Sequence, residues 1–95
     1  MTTEEKQNTL KRIFWEYELQ GKELLDILQG KILRAGHIDK DGIYARLLSS
    51  LNWYAILDIV DNDRLNEVLS DGVIGRIHSK DLKKKYAIAK RILFP

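Results

Sequence analysis

Apolar side chains recur along this chain every three or four positions, the spacing that builds helices with one buried face. Leu10, Ile13, Phe14 and Tyr17 obey this rule, which predicts an amphipathic helix from Glu4 to Leu19. Thr2, with Glu5 three residues later, supplies a capping-box start, and Gly21 supplies a stop. A second helix is predicted over Lys22 to Ala35, with Leu24, Leu25, Leu28, Ile32 and Ala35 inward. Gly36 follows at a position suited to a left-handed helix ending, and Gly30 is a point where this helix can split.

Asp39 then caps a third helix carrying Ile43, Leu47 and Leu51, and Asn52 caps a short fourth with Trp53, Ile56, Leu57 and Val60 inward. Asp61-Asn62-Asp63 reads as a turn and cap cluster, followed by Leu65, Val68 and Leu69 and then by Asp71-Gly72 as a stop. Val73 to Ile77 is short, partly β-branched and ambiguous. Ser79 caps a final helix whose inward stripe is Leu82, Tyr86, Ala89 and Leu93. No long two-residue alternation competes with these periods. The expected fold is all-α, a single compact bundle of five or six short helices spanning residues 1–95 as one domain.

Composition narrows the field further. Ninety-five residues suit one core, and 44% apolar content at a net charge of +2 excludes a disordered chain. There is no cysteine, so disulfides, thiolate nucleophiles and thiolate-bound metals are ruled out. The opening residues Met1 to Glu5 lack the basic-then-apolar plan of a signal peptide. No apolar run reaches the roughly 20 residues a membrane span needs. The expected location is therefore cytoplasmic, with no membrane association.

Charge is unevenly spread. Residues 1–75 hold nine Lys/Arg against thirteen Asp/Glu, whereas residues 76–95 hold seven against one. A basic end on an acidic body points to an anionic partner, either nucleic acid or an acidic protein face. Arg76, Lys80, Lys83, Lys84, Lys90 and Arg91 are the candidate contacts. A helix following a capped turn has the outline of a helix-turn-helix with Ser79 to Leu93 as the reading helix. Against that outline, only Arg76 stands where a base-reading side chain would be wanted. The same stripe also suits the wet side of an ordinary amphipathic helix.

Catalytic and metal signals are weak. His37 and His78 are forty-one positions apart with no metal-ligand spacing, and they read as surface or cap-region residues. Asp39-Lys40-Asp41-Gly42 begins like a calcium loop, but positions 5, 6 and 12 fall on Ile43, Tyr44 and Ser50. The loop fails, and helix capping accounts for the aspartates. Ser49-Ser50 lacks a nucleophile-elbow setting, and there is no glycine-rich phosphate cradle. The expectation is a non-enzymatic chain without cofactor or metal.

Two aromatic clusters stand out. In Phe14-Trp15-Glu16-Tyr17, Phe14 and Tyr17 share a face while Trp15 points elsewhere, either as a half-buried anchor or as an interface residue. In Trp53-Tyr54, Tyr54 is the more exposed member. Trp15 and Tyr54 are thus the candidate partner-binding residues.

The order Phe14-Trp15-Glu16, Trp53-Tyr54-Ala55-Ile56-Leu57, Glu67-Val68-Leu69 and Ser79 to Leu93 resembles a short uncharacterised bacterial family encoded beside nucleotidyltransferase-type toxins. About two-thirds of the chain takes part. It departs from the pattern in carrying extra residues around Gly30 to Gly42 and Asp61-Asn62-Asp63 in place of a Tyr-Gly turn. The resemblance implies a small non-catalytic partner of a neighbouring enzyme, antitoxin-like in role, and transfers no catalytic residues. A protein partner or self-association is expected on this reading, with nucleic-acid binding as the alternative.

Overall fold

A computed structural model describes residues 1–17, 19–29, 31, 34–35 and 38–95. The architecture is all-α, as the periodicity predicts. Among the described residues the helices are α1 (Thr3–Ile13), α2 (Gly21–Leu28), α3 (Lys40–Ser50), α4 (Trp53–Ile59), α5 (Leu65–Val68), α6 (Asp71–Gly75) and α7 (Lys80–Leu93). A 3-10 turn, Asn62–Arg64, leads into α5. The five or six helices expected become seven because the Leu65–Ile77 stretch yields two.

The bundle is organised around α3. Its Ile43, Tyr44, Ala45, Leu47 and Leu48 are all buried, and α2, α4, α5 and α6 pack around it. Leu24, Leu25, Ile27 and Leu28 of α2 join this core, with Leu10 and Phe14 from the α1 side and Val68, Leu69, Val73 and Ile77 from the far side. Among the described residues no charged or polar residue is buried there.

The capping predictions hold at Thr2, Asp39, Asn52 and Ser79, whereas Asp61, ahead of the 3-10 turn, makes no side-chain cap bond. Thr2 Oγ1 accepts from the Glu5 N–H at 3.1 Å, and Glu5 Oε1 accepts from the Thr2 N–H at 3.1 Å. Asp39, Asn52 and Ser79 accept from Gly42, Ala55 and Leu82 at 2.9, 2.9 and 3.3 Å. Each satisfies an N–H that has no partner within its own helix.

Four boundaries differ from expectation. The first helix ends at Ile13 rather than Leu19. The chain must turn there so that Gly21 can lie against Gln7, where a Cβ would sit 2.5 Å from the Gln7 carbonyl oxygen. Gly21 is therefore the first residue of α2, chosen for close helix contact, and not a stop.

The second helix ends at Leu28, not Ala35. The Lys31 N–H donates to the Asp26 carbonyl at 2.8 Å, satisfying one of the last carbonyls of α2. Arg34–Ala35 instead pairs antiparallel with Ile38–Asp39, in the register Arg34 to Asp39 and Ala35 to Ile38. Gly30, Ile32, Gly36 and His37 lie outside the described residues.

Asp71-Gly72 opens α6 instead of closing the helix before it. Ser70 is the cap, its Oγ accepting from the Val73 N–H at 3.3 Å, and Asp71 suits the positive end of a helix. Finally, Leu93 is exposed, so the inward stripe of α7 stops short of it.

Candidate functional site

Helix α7 is held to the bundle by few contacts. Tyr86 is its only buried residue. The Tyr86 ring lies 6.4 Å from that of Trp53, tilted by 45°. Its hydroxyl donates to the Leu48 carbonyl at 2.9 Å, and burial raises the phenol's pKa. Leu82 and Ala89 pack beside it, half-buried.

Beyond Tyr86 the helix carries a run of uncovered apolar side chains. Ile92 is 73% exposed and Ile88 51%, with Leu93 and Phe94 also in solvent. Ile88 and Ile92 are one turn apart and share a side of the helix. Next to them a shallow groove of about 320 Å³ is lined by Trp53, Tyr86, Ala89, Ile92 and Leu93, with Lys85 at its edge. The groove and the isoleucines form one apolar strip. Sequence periodicity assigned Leu93 to the core and gave no role to Ile88, Ile92 or Lys85. A signal was present: Ile88, Ile92 and Phe94 fall off the predicted inward stripe.

The six candidate cations do not form one continuous surface. Arg76 donates from Nη1 to Asp39 Oδ1 at 2.7 Å, and this bond with the nearby charge raises the guanidinium's pKa. Lys90 donates to Asp71 Oδ1 at 2.6 Å. Lys83 shares the flank of Lys90, seven residues apart, whereas Lys80, Lys84 and Arg91 occupy the outward stripe.

The two candidate aromatics are both in solvent. Trp15 is 79% exposed and Tyr54 80%. The half-buried anchor considered for Trp15 is thereby excluded. Phe14 alone of its cluster is fully enclosed, with Tyr17 half-buried at 6.1 Å between ring centres.

A second concavity is polar. A cleft of about 580 Å³ runs along one side of α3, lined by Tyr17, Asp39, Arg46, Ser49, Arg76 and His78 among others. Arg46 forms an ion pair with Glu16. Its guanidinium lies 5.3 Å from the Phe14 ring centre and 5.6 Å from that of Tyr17. The Ser49 hydroxyl donates to the Ala45 carbonyl at 2.9 Å. His78 is exposed at the residue before the α7 cap, as a cap-region histidine should be. His37 falls outside the described residues. Among the described residues no group of three or more His, Asp or Glu side chains is placed to hold a metal.

A third polar group is structural in character. The buried Tyr44 hydroxyl lies 3.5 Å from both the Leu28 carbonyl and Glu67 Oε2. Lys40 approaches Glu67 Oε2 at 3.1 Å and Arg64 at 3.3 Å. Burial, with the Glu67 charge beside it, pushes the Tyr44 phenol up to about 12. Partial burial of Glu67 works against its charged form, but Lys40 and Arg64 outweigh it and hold the carboxyl below its ordinary pKa.

No protein-family model, no curated protein and no solved structure matches this chain. Among the described residues, no helix is long and apolar enough to cross a membrane.

Proposed function

We propose that this chain is a small, non-catalytic, cytoplasmic protein-binding module, an adaptor or antitoxin-like partner of a neighbouring enzyme. Its docking face is the apolar strip on the outer half of α7. The observation that carries the reading is the exposure of Ile88 and Ile92 beside the Trp53 groove. Burying a side chain of this kind is worth about 1.5–3 kcal/mol, so a partner that covers both gains what the monomer forgoes. The antitoxin-like part of the reading rests on the family resemblance.

Lys84, Lys85 and Arg91 flank the strip. A symmetric second copy would set two such cationic helices against each other. The favoured occupant is therefore an amphipathic segment of a different chain, with acidic residues beside its apolar face. Trp15 and Tyr54, exposed elsewhere, are secondary contacts of the kind that anchor interfaces.

The test compares the tagged protein with its Ile92→Asp variant in native-host extracts, followed by binding titration of the captured partner. The wild-type chain should retain a stoichiometric partner that Ile92→Asp loses while keeping its fold. Equal capture by both would remove the strip from the account.

A second reading has one observation in its favour. Lys80, Lys84 and Arg91 lie in one stripe, suited to phosphate backbones. Titration of mixed DNA and RNA at two salt concentrations tests it. Salt-sensitive binding lost in Lys80→Ala/Lys84→Ala would support the nucleic-acid reading, and no binding at low salt would end it.

A further inference from the structure

The polar cleft along α3 has no part in the docking reading and stands on separate observations. Three parts of the chain that are distant in sequence converge on it: the turn after α1 through Tyr17, one side of α3 from Asp39 to Ser49, and the Arg76–His78 connection before α7. At about 580 Å³ it falls in the range of roughly 300–1,000 Å³ occupied by small-molecule sites.

Its lining is rich in donors. Two guanidinium groups, an imidazole, a phenol and two serine hydroxyls line one space, the Ser49 hydroxyl already donating to Ala45, and Asp39 supplies a carboxylate. Guanidinium is the side chain best matched to oxyanions, since its planar fork can donate two parallel hydrogen bonds. Among the described residues, Arg76 pairs through Nη1 with Asp39 and Arg46 through Nη2 with Glu16. A guanidinium carries five N–H donors, so these pairings leave each arginine further donors among the described residues.

The two ion pairs also preorganise the site. Arg46 is fixed twice, by Glu16 and by the faces of the Phe14 and Tyr17 rings. Arg76 is fixed by Asp39, and Asp39 is itself fixed by accepting the Gly42 N–H as the cap of α3. A floppy arginine loses rotamer freedom on binding, whereas one already held loses little.

From this convergence we propose that the cleft between Tyr17, α3 and the Arg76–His78 connection is a binding site for a phosphate-bearing small molecule, its phosphate held by Arg46 and Arg76. Asp39 tempers affinity. Its charge orients Arg76 and also repels the incoming anion, the more strongly the more charge that anion carries.

Isothermal titration with pyrophosphate, AMP and ATP, and with citrate as a carboxylate control, tests the assignment. Amide chemical-shift mapping runs in parallel. Pyrophosphate or a nucleotide should bind with shifts confined to the cleft, and citrate should bind more weakly. Arg46→Ala and Arg76→Ala should each weaken binding at least tenfold, while Lys84→Ala, outside the cleft, should not.

Asp39→Asn is the decisive variant. Asparagine keeps the α3 cap and removes the competing charge, so affinity should rise several-fold. If the arginines serve only as latches between elements, Asp39→Asn will lower stability and leave anion binding unchanged or absent. No binding by any of the phosphates, tighter binding of citrate, or equal losses in Lys84→Ala and Arg76→Ala would overturn the proposal.

Discussion

The Tyr86 hydroxyl donates to the Leu48 carbonyl at 2.9 Å, joining two residues 38 positions apart. Leu48 belongs to the last turn of α3, whose carbonyls have no intrahelical N–H to receive. The phenol thus closes one helix end while fastening another helix to it. Tyr86→Phe keeps the ring against Trp53 but leaves a buried carbonyl unsatisfied. It should cost about 1–3 kcal/mol. At roughly 4–8 °C per kcal/mol for a domain of this size, calorimetry would show the melting temperature fall. An unchanged midpoint would remove the tether from the account of how α7 is held.

Gly21 makes a harsher prediction. Any Cβ there meets the Gln7 carbonyl oxygen at 2.5 Å and the Gln7 Cβ at 2.9 Å. Both belong to the α1 framework, so relief requires α1 and α2 to move apart. Gly21→Ala should destabilise by about 1–3 kcal/mol, as overpacking does, although alanine is the better helix former. Denaturant midpoints of the two proteins decide the sign.

The Tyr44–Glu67 pair gives a pH dependence at each end of the scale. Glu67 titrates lower in the folded state than its ordinary 4.5. Its contribution is present above that value and is lost as pH falls through the folded pKa. Tyr44 titrates higher, about 12 against an ordinary 10.0. Its contribution is present below 10 and is lost as pH rises from 10 towards 12. Glu67→Gln should flatten the acid limb of a stability–pH curve, and Tyr44→Phe the alkaline limb. Each curve is measured by denaturant titration across pH.

Trp15 and Ile92 should be dispensable for folding. Both are more than two-thirds exposed, and surface changes of this kind fall within about 0.5 kcal/mol. Trp15→Ala and Ile92→Asp should melt with the wild-type protein. A large drop in either would mean that the side chain packs inward and cannot serve as a free contact.

The helical class was legible because period and caps agreed: Thr2, Asp39, Asn52 and Ser79 each precede an apolar run and each caps it in the structure. The errors arose where long-range contact overrode local pattern. Gly21 reads as a stop until Gln7 is seen beside it, and Tyr17 fits the α1 stripe although the chain has already turned. Ser70 was a readable cap, obscured by the stronger turn signal of Asp71-Gly72. The cleft was invisible for a different reason. Arg46 and Arg76 stand thirty positions apart, and only the packing of α3 against its neighbours brings them to one space.

The close crossing at Gly21 also bears on the order of assembly. Gln7 and Gly21 are only fourteen positions apart, so little loop-closure entropy opposes their meeting. Contacts this local are the ones rapid folding favours. The leading pair of helices can then form a nucleus on which α3 condenses, leaving α7 to join late. Damage at Gly21 would slow refolding, whereas loosening Tyr86 would chiefly hasten unfolding.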